Sequence, residues 1–93
     1  MSTHDLLTGR TIIITGGATG IGQAFAIGCA AQGANVVVAD MNAADETVAA
    51  VEAAGGQALA VRVDVSDAQS VQAMADAAMA RFGRIDGLVN NAA

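Results

Sequence analysis

Residues 15–22, T-G-G-A-T-G-I-G, join a β-branched run to a second apolar segment through a turn that almost lacks side chains. Gly16 can adopt backbone angles that other residues avoid, Gly20 lets the main chain approach a ligand, and Gly22 lets the next segment pack closely on the strand. A helix that begins at such a turn has free N–H groups, and these groups and the helix dipole favour an anion. The stretch therefore predicts a strand, an anion-binding turn and a helix, with a pyrophosphate as the usual anion.

A phosphate-binding Walker loop is the main alternative for this turn. That loop needs Lys followed by Ser or Thr after its last glycine, whereas Gln23 and Ala24 follow Gly22. The context favours a dinucleotide-binding turn, because an apolar strand precedes it and a helical pattern follows it. One face of that helix is expected to contain Ile21, Ala24, Phe25 and Gly28.

Hydrophobic periodicity predicts four strands and three helices in strict alternation. The strands are expected over residues 11–15, 35–39, 57–63 and 85–89, the second helix over about residues 43–54, and the third from residue 66 onward. Ser66 is expected to cap the third helix, with Gln69 completing a capping box. The predicted inner face of that helix contains Val71, Met74, Ala75, Ala78, Met79 and Phe82.

This alternation predicts an α/β fold with a doubly wound parallel sheet, because crossovers between parallel strands are right-handed. The expected strand order is 3-2-1-4. Ligands of such sheets bind beyond the carboxyl ends of the strands, where the strand order reverses. The site is therefore expected between strands one and four.

Asp40 ends the second predicted strand, 18 residues beyond Gly22. A dinucleotide-binding fold places a carboxylate at about this distance, where it accepts hydrogen bonds from the adenosine ribose. The alternative is that Asp40 caps the next helix, although Asn42 is better placed for that role. Both interpretations stay open at the level of sequence, and the ribose contact is the one we favour.

Composition limits the class of protein. At 93 residues, the chain can barely cover both faces of a parallel sheet, so residues 1–93 are interpreted as the N-terminal part of a longer domain. No apolar run approaches the roughly 20 residues of a membrane span. A net charge of −5 with only four basic residues argues against a nucleic-acid surface. The N-terminus lacks the pattern of a secretory signal, so a cytoplasmic location is expected.

Two reactive side chains receive no chemical role. Cys29 lies among small apolar residues, which fits a buried thiol better than a nucleophile. His4 lies in a polar leader before the first strand. No combination of His, Cys, Asp and Glu has metal-ligand spacing, so no metal site is predicted.

The motifs taken together resemble the short-chain dehydrogenase/reductase family. They are T-G-x-x-x-G-x-G at residues 15–22, the aspartate at position 40, Asp-Val at 64–65 and Asn-Asn-Ala at 90–92. The resemblance covers the whole chain. It implies a Rossmann-type domain of an oxidoreductase that uses NAD(H) to interconvert a secondary alcohol and a ketone, with a small-molecule substrate and a homotetrameric or dimeric assembly.

The resemblance also implies which residues contact the cofactor. The turn and the amide of Ile21 would hold the pyrophosphate, Asp64 and Val65 the adenine, and Asn91 the adenosine ribose. Thr15 and Asn90 are similar to a structural hydrogen-bonding pair of the family. The full expected set is Gly16, Gly17, Thr19, Gly20, Ile21, Gly22, Asp40, Met41, Asp64, Val65, Asn91 and Ala92.

The sequence departs from the family in two ways. Ala93 stands where the family's N-N-A-G has glycine, which narrows backbone freedom near the nicotinamide ribose without excluding the cofactor. The family's chemistry uses a Ser and a Tyr-x-x-x-Lys pair, and the chain contains neither Tyr nor Lys. No catalytic residue is therefore assigned. The alternative function is a stand-alone nucleotide-binding or interaction fragment without catalysis.

NAD is expected rather than NADP. Asp40 would repel a 2′-phosphate, and its neighbours in sequence and in the turn are uncharged, so no cation is expected close enough to compensate. These neighbours are Gly17, Thr19, Met41 and Asn42.

Overall fold

The computed structural model describes residues 6–91, and these residues form four strands and three helices. In chain order the elements are β1 (Thr11–Thr15), α1 (Gly20–Ala31), β2 (Asn35–Asp40), α2 (Asp45–Ala53), β3 (Gln57–Arg62), α3 (Ala68–Phe82) and β4 (Gly87–Asn90). All three strand pairs are parallel, and the order is β3-β2-β1-β4. The predicted doubly wound sheet and its strand order are confirmed.

The two faces of the sheet are covered by different helices. Val36 and Val38 of β2 pack in one cluster with residues of α1 and α2, whereas Val37 packs on the other face with Met74 and Ala78 of α3. Because β2 is buried on both faces, it needs a continuous apolar run rather than an alternating one. The expected edge position of the third strand is also confirmed, since β3 lies at the end of the sheet.

Helix α1 packs on the sheet through its smallest residues and not through the face that contains Ile21 and Phe25. The buried residues of α1 are Gly22, Ala26 and Ala30, at four-residue steps. Ile21 and Phe25 are 68% and 49% exposed. Small side chains let the helix approach the strands closely, which turns the larger ones outward. The other two residues assigned to that face, Ala24 and Gly28, are exposed as well.

Helix α2 has no side-chain cap. Its N-cap residue is Ala44, which forms no side-chain cap hydrogen bond, so neither Asn42 nor Asp40 caps this helix. Its first turn instead carries Asp45 and Glu46, whose charge favours the positive end of the helix dipole. The capping alternative for Asp40 is therefore wrong.

Helix α3 begins one residue later than predicted because Asp67, not Ser66, is its N-cap. The Asp67 carboxylate accepts the N–H of Gln69 at 2.9 Å. Ser66 is engaged by Asp64, to which its hydroxyl donates at 2.6 Å. Of the predicted inner face, Met74 and Ala78 are buried, Ala75 and Phe82 are half-buried, and Val71 and Met79 are exposed.

Asp86 joins β1 to β4 at the amino end of the sheet. Its carboxylate accepts the Thr11 N–H at 2.8 Å and two hydrogen bonds from the Arg84 guanidinium, and its side chain is only 13% exposed. Because the side chain replaces a main-chain partner here, β4 begins at Gly87 instead of residue 85. The bonds from Arg84 and Thr11 lower the pKa of Asp86 to about 2.

The low pKa of Asp86 predicts an acid-sensitive contribution to stability. The folded-state pKa is lower than the unfolded one, so the contribution is fully present above about pH 4 and is lost as the pH falls toward about 2. We expect the urea midpoint of the unmodified protein to fall more steeply between pH 5 and pH 3 than that of Asp86→Asn. Asp45→Asn, which removes an exposed carboxylate from α2, serves as control. Parallel pH profiles for the unmodified protein and Asp86→Asn would contradict the prediction.

Candidate cofactor-binding site

The glycine turn leaves β1 through backbone conformations that favour glycine. Gly16 has φ of 69° and Gly20 has φ of 60°, values in the left-handed region that side chains disfavour. The N–H of Gly16 donates to the Ala39 carbonyl at 2.8 Å, so the turn is attached to the carboxyl end of β2. The turn therefore lies at the edge of the sheet where ligands of such folds bind.

Gly22 lies where the first turn of α1 crosses back over the strand. A Cβ atom at this position would overlap the Gly16 carbonyl and lie 2.8 Å from Nδ2 of Asn91. By contrast, a Cβ on Gly20 would meet nothing within 4 Å. The close packing predicted at Gly22 is confirmed, and the approach of a ligand at Gly20 stays a prediction.

The start of α1 is the one helix N-terminus among residues 6–91 that has neither a side-chain cap nor an acid. Thr19 is its N-cap but forms no side-chain hydrogen bond, and the first turn contains no acidic residue. In contrast, α2 carries two acids in its first turn and α3 is capped by Asp67. The N–H groups of α1 are thus open to an anion supplied from outside. These features fit the pyrophosphate of a dinucleotide.

Asp40 is held in place at the end of β2 by two main-chain amides. Its Oδ2 accepts the N–H of Ala18 in the glycine turn at 2.9 Å, and its Oδ1 accepts the N–H of Asn42 at 2.9 Å. A carboxylate has about four lone-pair positions, so both oxygens keep acceptor capacity for hydroxyl donors. Asp40 therefore both attaches the turn to β2 and presents a fixed negative charge beside it.

The carboxyl ends of β1 and β4 are joined by side chains. The Thr15 hydroxyl donates to Oδ1 of Asn90 at 3.0 Å and accepts the N–H of Asn91 at 3.1 Å. Asn91 also donates from Nδ2 to the Gly16 carbonyl at 3.2 Å. The structural pair of Thr15 and Asn90 is thus present, and Asn91 lies against the glycine turn. Ala92 and Ala93 lie outside the described residues.

Asp64 and Val65 follow β3 at the same edge of the sheet. Asp64 accepts hydrogen bonds from the hydroxyl and the N–H of Ser66, and these bonds lower the pKa of its carboxyl. Val65 is exposed, as is Met41 after β2. The carboxylate of Asp64 is therefore ionised and oriented, with an exposed apolar side chain next to it.

Arg62 corrects the expectation that no cation lies near Asp40. It is the register partner of Asp40 across the parallel β2 and β3 strands, and neighbouring strands are about 4.8 Å apart. Arg62 also lines a pocket of about 280 Å³ together with Met41, Asn42 and Asp45, the first residue of α2. The ion pairs found within residues 6–91 both involve Asp86, so none joins Arg62 to Asp40. Sequence neighbours alone could not reveal this cation, because strand register places it there.

Thr47 is a further residue of the site that sequence reasoning missed. It is fully buried in α2, and its hydroxyl donates to the Gly17 carbonyl at 2.8 Å. In the sequence it is an ordinary polar residue in an alanine-rich helix. Its partners are main-chain carbonyls far away along the chain, so no local signal marks it.

Comparisons with known proteins agree with this geometry. The family model described as short chain dehydrogenase matches residues 10–93. The chain belongs to the short-chain dehydrogenase/reductase family. It is 48% identical over 92 residues to 3beta-hydroxysteroid dehydrogenase 1 of Eggerthella lenta, a match that covers 96% of this chain and 35% of that protein. It is 47% identical over 88 residues to 7alpha-hydroxysteroid dehydrogenase of Escherichia coli, covering 92% and 34% of the two chains.

Solved structures of the family have the same fold. A crystal structure of hydroxysteroid dehydrogenase from Escherichia coli matches with a TM-score of 0.92 and 44% identity, covering 100% of this chain and 40% of that one. A putative dehydrogenase from Xanthomonas campestris matches with a TM-score of 0.89 and 43% identity, covering 94% and 35%. The chain thus spans about a third of the length of the curated relatives it matches.

Two further observations concern residues 6–91. None of their helices is both long enough and apolar enough to cross a bilayer. No group of three or more His, Cys, Asp and Glu side chains in this part of the chain is arranged to hold a metal ion.

Proposed function

We propose that residues 1–93 are the N-terminal, cofactor-binding part of an NAD(H)-dependent oxidoreductase that interconverts a secondary alcohol and a ketone. The observation that carries this proposal is the uncapped N-terminus of α1 beside a fixed carboxylate at the end of β2. Together they present donors for a pyrophosphate and acceptors for a ribose at one edge of the sheet. Dehydrogenases of this family use nicotinamide cofactors.

Each part of the cofactor has a candidate partner. The pyrophosphate is assigned to the glycine turn, with Gly16, Gly17 and Thr19, and to the first amides of α1, at Gly20, Ile21 and Gly22. The adenosine ribose is assigned to Asp40, with Met41 and Asn91 beside it. The adenine is assigned to Asp64 and Val65, and Ala92 is proposed to continue the site. When bound, the nicotinamide supplies or accepts the hydride.

The names of the relatives support an alcohol as substrate. Two are hydroxysteroid dehydrogenases, and a third, from Sphingobium indicum, is a 2,5-dichloro-2,5-cyclohexadiene-1,4-diol dehydrogenase that is 49% identical over 88 residues. These names point to hydroxyl groups on rings. We accordingly propose a small-molecule substrate, a cytoplasmic location and a homotetrameric or dimeric assembly for the whole protein.

The preference for NAD over NADP rests on Asp40. Both of its oxygens are held by amides, so its charge cannot turn away from a 2′-phosphate. Like charges a few ångströms apart in a partly shielded site cost on the order of a few kcal/mol, or about two decades in affinity. Arg62 opposes this effect, but it is exposed, and screening by water weakens an exposed charge. We propose that the repulsion between Asp40 and a 2′-phosphate outweighs the attraction by Arg62, so that NAD binds more tightly than NADP.

Two measurements distinguish the proposed oxidoreductase from the alternative, a stand-alone nucleotide-binding or interaction fragment. The first is the mass of the intact polypeptide, since a value near 9.1 kDa would favour the fragment and a several-fold larger one the enzyme. The second is an assay for NADH production by the intact protein with a panel of cyclic secondary alcohols. We expect a larger mass and measurable turnover. A 9.1 kDa protein that binds NAD without turnover would establish the alternative.

A further inference from the structure

Thr47 lies in α2 and is not itself assigned to the cofactor, yet its hydroxyl contacts the glycine turn. Its side chain is 0% exposed. Burying a hydroxyl costs free energy unless the group is hydrogen-bonded. This hydroxyl has three partners, and two of them belong to the turn.

The Thr47 hydroxyl is fully used by those partners. Its oxygen lies 2.8 Å from the Gly17 carbonyl and 3.1 Å from the Ala18 carbonyl, and it accepts a hydrogen bond from Nε2 of Gln23 at 3.1 Å. A hydroxyl has one proton, so the two carbonyls share it. Gln23 belongs to the first turn of α1. One buried hydroxyl therefore connects α2, the glycine turn and the start of α1.

Carbonyl anchoring fixes the direction of the amides in the same peptide units. In a planar trans peptide the C=O and the following N–H point in opposite directions. With the Gly17 carbonyl held by Thr47, the Ala18 N–H points the other way, where it meets the Asp40 carboxylate at 2.9 Å. With the Ala18 carbonyl held, the Thr19 N–H likewise points away from Thr47. Two consecutive amides are thus oriented from behind the turn.

We propose that Thr47 is a positioning residue for the dinucleotide: its hydroxyl orients two peptides of the glycine turn, one whose N–H at Ala18 holds Asp40 and one whose N–H at Thr19 is presented to the phosphates, without touching the cofactor. The inference rests on the proposed function, because it assumes that the turn holds a pyrophosphate. An apolar residue at this position would leave two carbonyls and the Gln23 amide without their buried partner. The turn would then be free to rotate its amides out of the phosphate-binding orientation.

The test compares Thr47→Val, which keeps the shape but lacks the hydroxyl, with Thr47→Ser, which keeps the hydroxyl. Both are made in the intact protein, and the dissociation constants for NAD and for adenosine are measured by calorimetry or by competition. For Thr47→Val we expect the dissociation constant for NAD to rise about tenfold, because the variant loses a hydrogen bond that orients the turn. Adenosine lacks phosphates, and Asp40 keeps the Asn42 N–H as a second anchor, so the constant for adenosine should change less than about twofold. Thr47→Ser should restore NAD binding to within about threefold.

Three outcomes would overturn the inference. Unchanged NAD affinity in Thr47→Val would show that the hydroxyl does not matter, and an equal loss for NAD and adenosine would mark general damage to the fold. A serine variant as weak as the valine variant would show that the hydroxyl alone does not support NAD binding. If the unmodified protein bound no NAD at all, the proposed function would fail and this inference with it.

Thr47→Cys provides a second test if Thr47→Val does not fold. Thr47→Cys has a similar volume and only a weak S–H donor, so an intermediate loss of NAD affinity, about three- to fivefold, is expected. Affinity equal to that of the unmodified protein would again overturn the inference.

Discussion

Replacing Gly22 by alanine is expected to raise the dissociation constant for NAD at least 100-fold. The new Cβ would overlap the Gly16 carbonyl and press on the Asn91 amide, so the glycine turn must move away from the start of α1. Overpacking of this kind costs about 1–3 kcal/mol of stability, and the displaced turn no longer places its amides together. Calorimetric titration of the intact protein with NAD, alongside urea unfolding, measures both effects.

Gly28 provides the matched control in the same helix. It is exposed, and a Cβ there would meet nothing within 4 Å. Gly28→Ala should therefore leave NAD binding unchanged and should stabilise the protein by roughly 0.5–1 kcal/mol through helix propensity. If Gly22→Ala bound NAD as tightly as Gly28→Ala, the close approach of turn and helix would have no part in binding.

Replacing Asp40 by asparagine is expected to reduce the preference for NAD over NADP about 100-fold. The substitution keeps the size of the side chain but removes the charge that faces a 2′-phosphate. It also places an NH₂ group against one of the two amide donors now bound by the carboxylate, so NAD binding should weaken as well. Titrating both cofactors against the unmodified and the substituted protein gives the ratio directly.

Two further variants test whether other charged residues near Asp40 affect the preference for NAD over NADP. Asp45→Asn removes an exposed carboxylate from the first turn of α2 and should change the ratio less than about threefold, because water screens its charge. Arg62→Gln removes the register partner of Asp40 and should weaken NADP more than NAD. If Asp45→Asn altered the ratio as much as Asp40→Asn, the net negative charge and not Asp40 would set the preference.

Much of the fold could be predicted because its signals are local. The run of valines in β2 predicts burial on both faces, which the structure has. The glycines at 16 and 20 predict unusual backbone angles, and both have a positive φ. The packing of α1 could not be predicted in this way. Periodicity ranks residues by hydrophobicity, whereas Gly22, Ala26 and Ala30 face the sheet because they are small. The start of α3 depends on a hydrogen bond that the capping pattern does not reveal, because the Ser66 hydroxyl donates to Asp64 and is not available as the cap.

Some residues of the candidate site could likewise be located from the sequence and others could not. Residues within strand ends and the turn, such as Asp40 and Asn91, could be located from order and spacing. Arg62 and Thr47 could not, because one reaches the site through strand register and the other through contact with carbonyls about 30 residues away. Their roles depend on how the strands and helices pack against each other, which a short stretch of sequence does not predict.

We propose that this edge of the sheet binds NAD, and calorimetric titration of the intact protein with NAD and, separately, with NADP measures that binding. We expect saturable binding of NAD at one site per chain, with NADP weaker by about two decades. Absence of NAD binding, or NADP binding that is equal or tighter, would overturn the proposed NAD site.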